Sequence, residues 1–512
     1  MILEYIISPW TAVVAFVLWH IVPYYHRQEL KDIPGPWLAK FSNLYIFYLA
    51  RFGLRFRTID ALHKEHGKFV RTQPNHVSIA DDAAIKTVLG HGNGFLKAEY
   101  YDAFYAVEPD IFAVRNRNDH ARKRKIISHT FAPKSVREFE PFIMTHLNQI
   151  IRQWNSIADG HAKEGGVGPA VVNAQAWLSF LAIDIIGDLA FGAPFGMLEK
   201  GKDEVEVRIP GRPARNVPVM KVVNGRDEVG ATIGHIPWLK SIAAYLPDGY
   251  FRQGASDLAD LAGIAITLVQ TRLEQNKVKK VERPDILTRL MEGRDQHGNA
   301  MSEKELQSEA LTQMIAGSDT VANTTCALLY NILSTPHVKE KLEKLIREAF
   351  PEDVRVPSYD QLNKIPYLAM VVNESMRLHC IPALGLPREI PPGPPVEVCG
   401  RTFKPGTVLS IPQYTIHHSK EIWGPDADEF RPERWETVGT RQKEAFMPFS
   451  YGPRACVGRN LAEMEVHMII ATLLKNFDLD VQQGPMQSRE GFVLRPLGLN
   501  VGVRRLAKKA SQ

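Results

Sequence analysis

The residues of this chain best suited to chemistry run together near its C-terminus, as Phe449-Ser450-Tyr451-Gly452-Pro453-Arg454-Ala455-Cys456-Val457-Gly458. Five of them fit F-x-x-G-x-R-x-C-x-G, a pattern whose chance occurrence in a chain this long is on the order of one in ten thousand. A cysteine that acts as a thiolate metal ligand needs a loop that bares its sulfur while turning backbone N–H groups toward it, because those hydrogen bonds tune its basicity. Gly452 and Gly458 permit such a turn, and Phe449 is an apolar shield for the sulfur. Arg454 carries a fork able to hold a carboxylate. A buried structural thiol is the commoner fate of a lone cysteine, but it leaves the flanking pattern unexplained.

Three further constellations stand upstream. In Ala316-Gly317-Ser318-Asp319-Thr320 an acid sits beside an alcohol next to small residues, which suits proton delivery in a groove; alone, such a run is more often a helix break or cap. Glu374 and Arg377 are three apart and share a helix face, usually the mark of a surface pair, and Phe430-Arg431-Pro432-Glu433-Arg434-Trp435 follows. His120-Ala121-Arg122-Lys123-Arg124 offers a basic helix start, and Arg388 follows a proline after the Glu-Arg helix.

Together these segments resemble the cytochrome P-450 monooxygenases over nearly the whole chain. The resemblance implies a mainly α fold with a small segregated β region (α+β), in one large catalytic domain. It implies haem b (iron protoporphyrin IX) with Cys456 as the axial ligand of the iron, Phe449 and Gly458 shaping its loop, and Arg454, His120, Arg124 and Arg388 near the propionates. His120 departs from the family's W-x-x-x-R element, where tryptophan is usual. Asp319 and Thr320 become the catalytic proton-delivery pair, and Glu374, Arg377 and Arg434 a buried network with a structural role. O2 is a substrate. No flavin or nicotinamide fingerprint occurs in the chain, so electrons are expected from a separate NADPH-cytochrome P-450 reductase, meeting a basic surface of Arg122, Lys123, Lys125, Lys134 and Arg137.

Within that superfamily, residues 90–97, 118–125, 128–131 and 244–248 are most similar to the fungal benzoate para-hydroxylases. That resemblance implies a small aromatic acid as substrate, hydroxylated opposite its carboxylate. Phe95, Tyr100, Tyr101, Phe104 and Tyr105 are candidate pocket walls, or equally an ordinary aromatic core; the carboxylate's partner is unassigned. Two other readings stay open: tailoring of a bulkier fungal secondary metabolite, and a haem-thiolate isomerase or binder that does not activate oxygen.

These residues need a large scaffold, and 512 residues with 45% apolar and 23% charged side chains supply one. A net charge of +5 without a long lysine or arginine block gives no reason to expect nucleic acid as a partner. Four dispersed cysteines, with no CxxC, fit reduced thiols in the cytosol. An apolar run from Tyr5 to Val22, preceded by Glu4 and followed by Arg27, Lys31 and Lys40, predicts a transmembrane anchor over residues 1–25, with a surface helix or cleaved leader as the alternative. The expected setting is the endoplasmic reticulum membrane, single-pass, with the catalytic domain cytosolic. Residues 26–37 form a Pro-rich spacer and 38–512 the enzyme domain. Helical periodicity predicts helices over 119–157, 171–191, 255–274, 303–333 and 337–350, and alternation predicts a strand pair near 68–80. Residues 198–229 suggest a long surface loop, 382–405 short strands and turns, and His417-His418 a pair on a loop.

Overall fold

Two periodicities coexist in this chain, a dominant one of 3.6 residues and short stretches of two, and they separate into a large helical body and small sheets. The computed structural model describes residues 9–207, 213, 215–278, 283 and 285–506. In chain order, the elements that build the site are strands β1 (Phe69–Gln73), β2 (His76–Ile79) and β3 (Leu96–Lys97); helices α1 (Arg117–Ser128) and α2 (Glu140–Lys163); strand β4 (Ala170–Asn173); helices α3 (Ala174–Phe191), α4 (Val219–Ile233), α5 (Gly249–Val278), α6 (Glu303–Leu333) and α7 (Pro366–Leu378); strands β5 (Arg388–Glu389) and β6 (Val408–Ser410); helix α8 (Arg459–Asn476); and strands β7 (Phe477–Val481) and β8 (Asn500–Arg505).

The centre is α6, 31 residues that span roughly 46 Å. Its start is fixed by a capping box: Ser302 Oγ accepts the Glu305 N–H at 3.2 Å, and the Glu305 carboxylate accepts the Ser302 N–H at 3.0 Å. Helix α3 packs along it. At Gly317 a Cβ would lie 2.7 Å from Ile186 Cδ1, so a larger residue there would force the two helices apart or Ile186 aside. Among the described residues α3 is the one helix long and apolar enough to cross a membrane; being mostly buried, it is a core helix.

The larger sheet has the order β1-β2-β6-β5-β3. β2 and β6 run parallel, with Leu409 opposite Val77, and the other pairs are antiparallel. At its edge the register sets Lys97 opposite Arg388, two cations face to face, an arrangement that is destabilising by itself. A second sheet, β7-β8-β4, closes against the helical body.

Some expectations need correction. Residues 119–157 do not form one helix: Pro133 and Pro141 each open a new helix, because proline fits the first turn and breaks an interior. The 198–229 stretch is not one loop. It contains a hairpin pairing Val205–Val207 with Arg215–Val217, then the largely buried α4; Ile209 to Arg212 lie outside the described residues. Gly225, one of the glycines that suggest a loop, serves packing instead, since a Cβ there would overlap the Asp257 carboxylate of α5. The Pro-rich 26–37 segment is no free spacer: Leu30 and Ile33 are buried, and the Pro34 carbonyl accepts the Arg71 N–H at 2.8 Å.

Candidate active site

Cys456 stands at the end of a tightly turned loop that leads into α8. Ser450 and Gly452 both take left-handed backbone (φ 61° and 74°), and a Cβ on Gly452 would overlap the Leu89 carbonyl oxygen, so that position admits only glycine. The Cys456 N–H closes the loop on the Phe449 carbonyl at 2.9 Å. The Gly458 N–H hydrogen-bonds the sulfur, which lies just before the first turn of α8. Burial pushes the thiol upward, and the Gly458 N–H and the charges of Arg124 and Arg459 oppose that rise. Phe449 packs on the core, with the Arg459 guanidinium 5.5 Å above its ring.

The sulfur opens into an internal cavity shared with Thr320, Ala316 and Gly317 of α6, His120 and Arg124 of α1, and Lys97 and Arg454. Arg454 is anchored by donating to the Val114 and Arg115 carbonyls (2.7 and 3.2 Å), and Arg124 donates to the Ala455 carbonyl at 2.6 Å, tying α1 to the cysteine loop. Arg388, just behind, donates to Tyr101 Oη at 2.9 Å. These groups repel one another. Burial, then Arg388 and Arg454, holds the Lys97 ammonium well below its usual range. Burial and the neighbouring cations bring Arg454 down to about 10, and burial with Arg454, Lys97, Arg124 and Arg388 brings His120 down to about 3, leaving it a neutral imidazole with one N–H to donate.

Among the described residues none of Lys97, Arg124, Arg388 and Arg454 is ion-paired with a carboxylate. The one acid lining the cavity is Glu465, which burial pushes to about 8, so it is protonated at neutral pH and supplies no counter-charge. A buried wall of unmatched cations opposite a single thiol is what a dianionic, metal-bearing ligand would complete. The donor set therefore fits haem b, whose two propionates would supply the missing anions.

On the α6 side Thr320 lines the cavity and donates to the Ala316 carbonyl at 2.7 Å. Asp319 is not among the lining residues. It is buried, accepts from Asn323 Nδ2 at 2.7 Å, and is pushed upward by burial and by Asp227, which lets it hold a proton near neutrality.

The structure also assembles Glu374, Arg377 and Arg434 into one buried cluster. Arg377 forks onto Glu374 (3.0 and 2.9 Å), Arg434 Nε donates to it at 2.7 Å, and Trp435 Nε1 and the Arg431 N–H complete its oxygens. The remaining arginine N–H groups reach the carbonyls of His417, Ala427, Trp423 and Asp426. His417 is thereby corrected: it ends a helix, is fully buried, and accepts the Met447 N–H at 3.2 Å, connecting this cluster to the chain just before Phe449.

Other corrections concern the walls. Among the described residues Phe95, Tyr100, Tyr101, Phe104 and Tyr105 do not line the cavity, whereas Ile111, Phe112, Phe131, Ile186 and Val321 do. Lys123 and Arg122 are not free for a docking surface, because both pair with Glu305; Lys125, Lys134 and Arg137 are exposed, Arg137 beside Asp360. Sequence reasoning missed Lys97, whose facing of Arg388 arises only from pairing strands 291 residues apart, and Glu465, which reads as one polar position in an amphipathic helix.

The cytochrome P450 family model matches residues 34–503. The chain is 51% identical over 511 residues to benzoate 4-monooxygenase bphA of Aspergillus niger, covering 98% of this chain and 99% of that one. It is 31% identical to cytochrome P450 monooxygenase traB of Penicillium crustosum, covering 89% and 87% of the two chains, and 29% identical to cytochrome P450 monooxygenase astJ of Aspergillus oryzae, covering 92% and 90%.

Proposed function

From the premise that this chain belongs to the cytochrome P450 family, we propose that it hydroxylates benzoate, or a closely related small aromatic acid, at the ring carbon opposite the carboxylate. The observation that carries this reading is 51% identity, end to end, with a benzoate 4-monooxygenase. The balance is one aromatic acid, O2, NADPH and a proton giving the 4-hydroxy acid, NADP⁺ and water.

In this reading Cys456 holds the haem iron, and Lys97, His120, Arg124, Arg388 and Arg454 hold the propionates. Haem b with a thiolate ligand supplies the redox chemistry that cleaves dioxygen and places one oxygen atom on the substrate. The chain's own contributions are positioning and protons. Thr320 releases its bond to Ala316 and turns its hydroxyl into the cavity. Asp319, which burial and Asp227 raise to about 7, replenishes it from the adjacent position of α6. Ile111, Phe112, Ile186 and Val321 exclude water, which directs protons through this route. Glu374, Arg377 and Arg434 keep the cysteine loop in place.

Electrons come from a separate NADPH-cytochrome P450 reductase that docks on the face bearing Lys125, Lys134 and Arg137. Residues 1–25 anchor the chain in the endoplasmic reticulum membrane, with the domain on the cytosolic side; the first eight lie outside the described residues. The anchor is supported by the helix Pro9–His26, whose Val13, Val14, Phe16, Val17, Leu18, Ile21 and Val22 are exposed. Trp19 of that helix meets Trp238 at 6.1 Å, and Trp238, Ile242 and Tyr245 are exposed apolar side chains suited to lipid.

The test is turnover of the full chain with a P450 reductase, NADPH and benzoate. Formation of 4-hydroxybenzoate, lost in Cys456→Ala, is expected. No product from protein whose ferrous carbon monoxide complex shows the red-shifted Soret band of thiolate ligation would retire benzoate in favour of a bulkier substrate.

A further inference from the structure

Arg226, on α4, is a guanidinium without an anion. Its Nη2 donates to the Phe104 carbonyl and its Cζ lies 5.2 Å from the centre of the Phe104 ring, but Nε is buried with no acceptor. Among the described residues no carboxylate is close enough to form an ion pair with it; Asp227, Asp110 and Asp319 act on it only at longer range. The side chain is half-buried and withdrawn from bulk solvent.

Its surroundings place Arg226 close to the catalytic cavity. Phe104 packs edge-on against Phe112 (5.8 Å) and Phe492 (5.1 Å), and Phe112 lines the Cys456 cavity. Asp110, an acid near Arg226, is already taken by the Thr312 hydroxyl and the Ala113 N–H, and Thr312 lines the cavity too. Arg226 thus stands behind Phe104, which backs the Phe112 ring of the cavity wall.

A buried, unpaired guanidinium is unfavourable by itself, and a carboxylate is the group that matches its fork with two parallel hydrogen bonds. We propose that Arg226 receives the carboxylate of the aromatic acid, with the ring against Phe112. The inference rests on the small-acid reading above and deepens it. In such an acid the carboxylate and the para carbon are opposite ends of one rigid ring, so holding the first end fixes which carbon reaches the reactive centre. Lys97 is the rival cation, but its ammonium is committed to the Phe112 carbonyl within the cluster assigned to the propionates.

The experiment is a ferric spin-state titration of the full-chain holoenzyme with benzoate and, separately, with neutral benzamide. The unsubstituted chain should favour benzoate. Arg226→Gln should weaken benzoate by roughly 100-fold and leave benzamide within about twofold, while Arg226→Lys, which keeps the charge but not the fork, should fall between. An unchanged carbon monoxide band in each variant certifies the fold. Any hydroxylated product from Arg226→Gln should lose its preference for the para position. The anchor is overturned if Arg226→Gln keeps the original benzoate-to-benzamide ratio, or if Lys97→Met removes that ratio and Arg226→Gln does not. Arg226-dependent benzoate binding without 4-hydroxybenzoate at turnover would retire the substrate reading and leave the anchor standing.

Discussion

The cluster around Glu374 and the wall around Lys97 are both buried, both rich in arginine and both close to the cysteine loop, yet they are built on opposite rules. At Glu374 every charge is answered: two arginines, an indole and a backbone N–H converge on one carboxylate, and the spare guanidinium hydrogens find carbonyls. On the wall Lys97, Arg124, Arg388 and Arg454 press against one another, His120 is driven neutral, and the one lining acid is protonated. A self-satisfied network is scaffolding. An unsatisfied one is waiting for a ligand that brings the missing charge.

That contrast predicts opposite signs on substitution, starting with the largest effect. Glu374→Gln leaves the buried Arg377 guanidinium without an anion and Arg434 with Asp426 alone, and should cost about 3–5 kcal/mol, enough to abolish recovery of protein with the thiolate carbon monoxide band. Recovery of such protein at normal yield and melting temperature would place the cluster among dispensable ion pairs. Lys97→Met should do the reverse in the haem-free chain, raising its melting temperature by relieving repulsion, while weakening haem retention roughly 10-fold in a transfer assay to apomyoglobin. A Lys97→Met chain that is less stable without haem would show that the wall is balanced by protein groups after all.

Much of this contrast was legible before the structure, though unevenly. Helix α6 has the bounds read from its periodicity, because Ser302 and Glu305 cap it and no proline interrupts it. The cysteine loop was equally plain at Gly452, whose left-handed backbone requires glycine, whereas Gly458 takes ordinary backbone (φ −81°). What sequence could not display is pairing at a distance. The Lys97–Arg388 opposition, the reach of His417 to Met447 and the seat of Arg226 beside Phe104 each depend on segments far apart in the chain. Helix α4 was hidden for another reason: its glycines fit between α5 and the 99–104 segment, and a glycine chosen for closeness looks the same in sequence as one chosen for a turn.

The same rules operate within one turn of α6, at Glu309 and Glu305. Glu309 accepts the Ile111 N–H at 2.8 Å, yet burial, with Asp110 nearby, lifts it from 4.5 to about 8. A raised carboxyl binds its proton more tightly in the folded chain, so its contribution is full below 4.5 and is lost as pH rises toward 8. In Glu309→Gln the amide oxygen keeps the Ile111 bond, and stability across that window should become flatter by on the order of 1–2 kcal/mol. A slope equal to that of the unsubstituted chain would mean that Glu309 is ionised against Lys123.

Glu305 runs the other way, because Arg122, the Ser302 N–H and Lys123 outweigh its burial and bring it down to about 2. A lowered carboxyl stabilises the folded chain above 4.5 and loses that contribution as pH falls toward 2. Being partly open to solvent, it is worth less, and Glu305→Gln should remove under about 1 kcal/mol at neutral pH and soften the acid limb of the stability profile. Chemical denaturation at several pH values reads both variants together. If Glu305→Gln altered the alkaline side instead, the two glutamates would be titrating as one unit through Lys123, and the division between answered and unanswered charge would fail at the scale of a single helical turn.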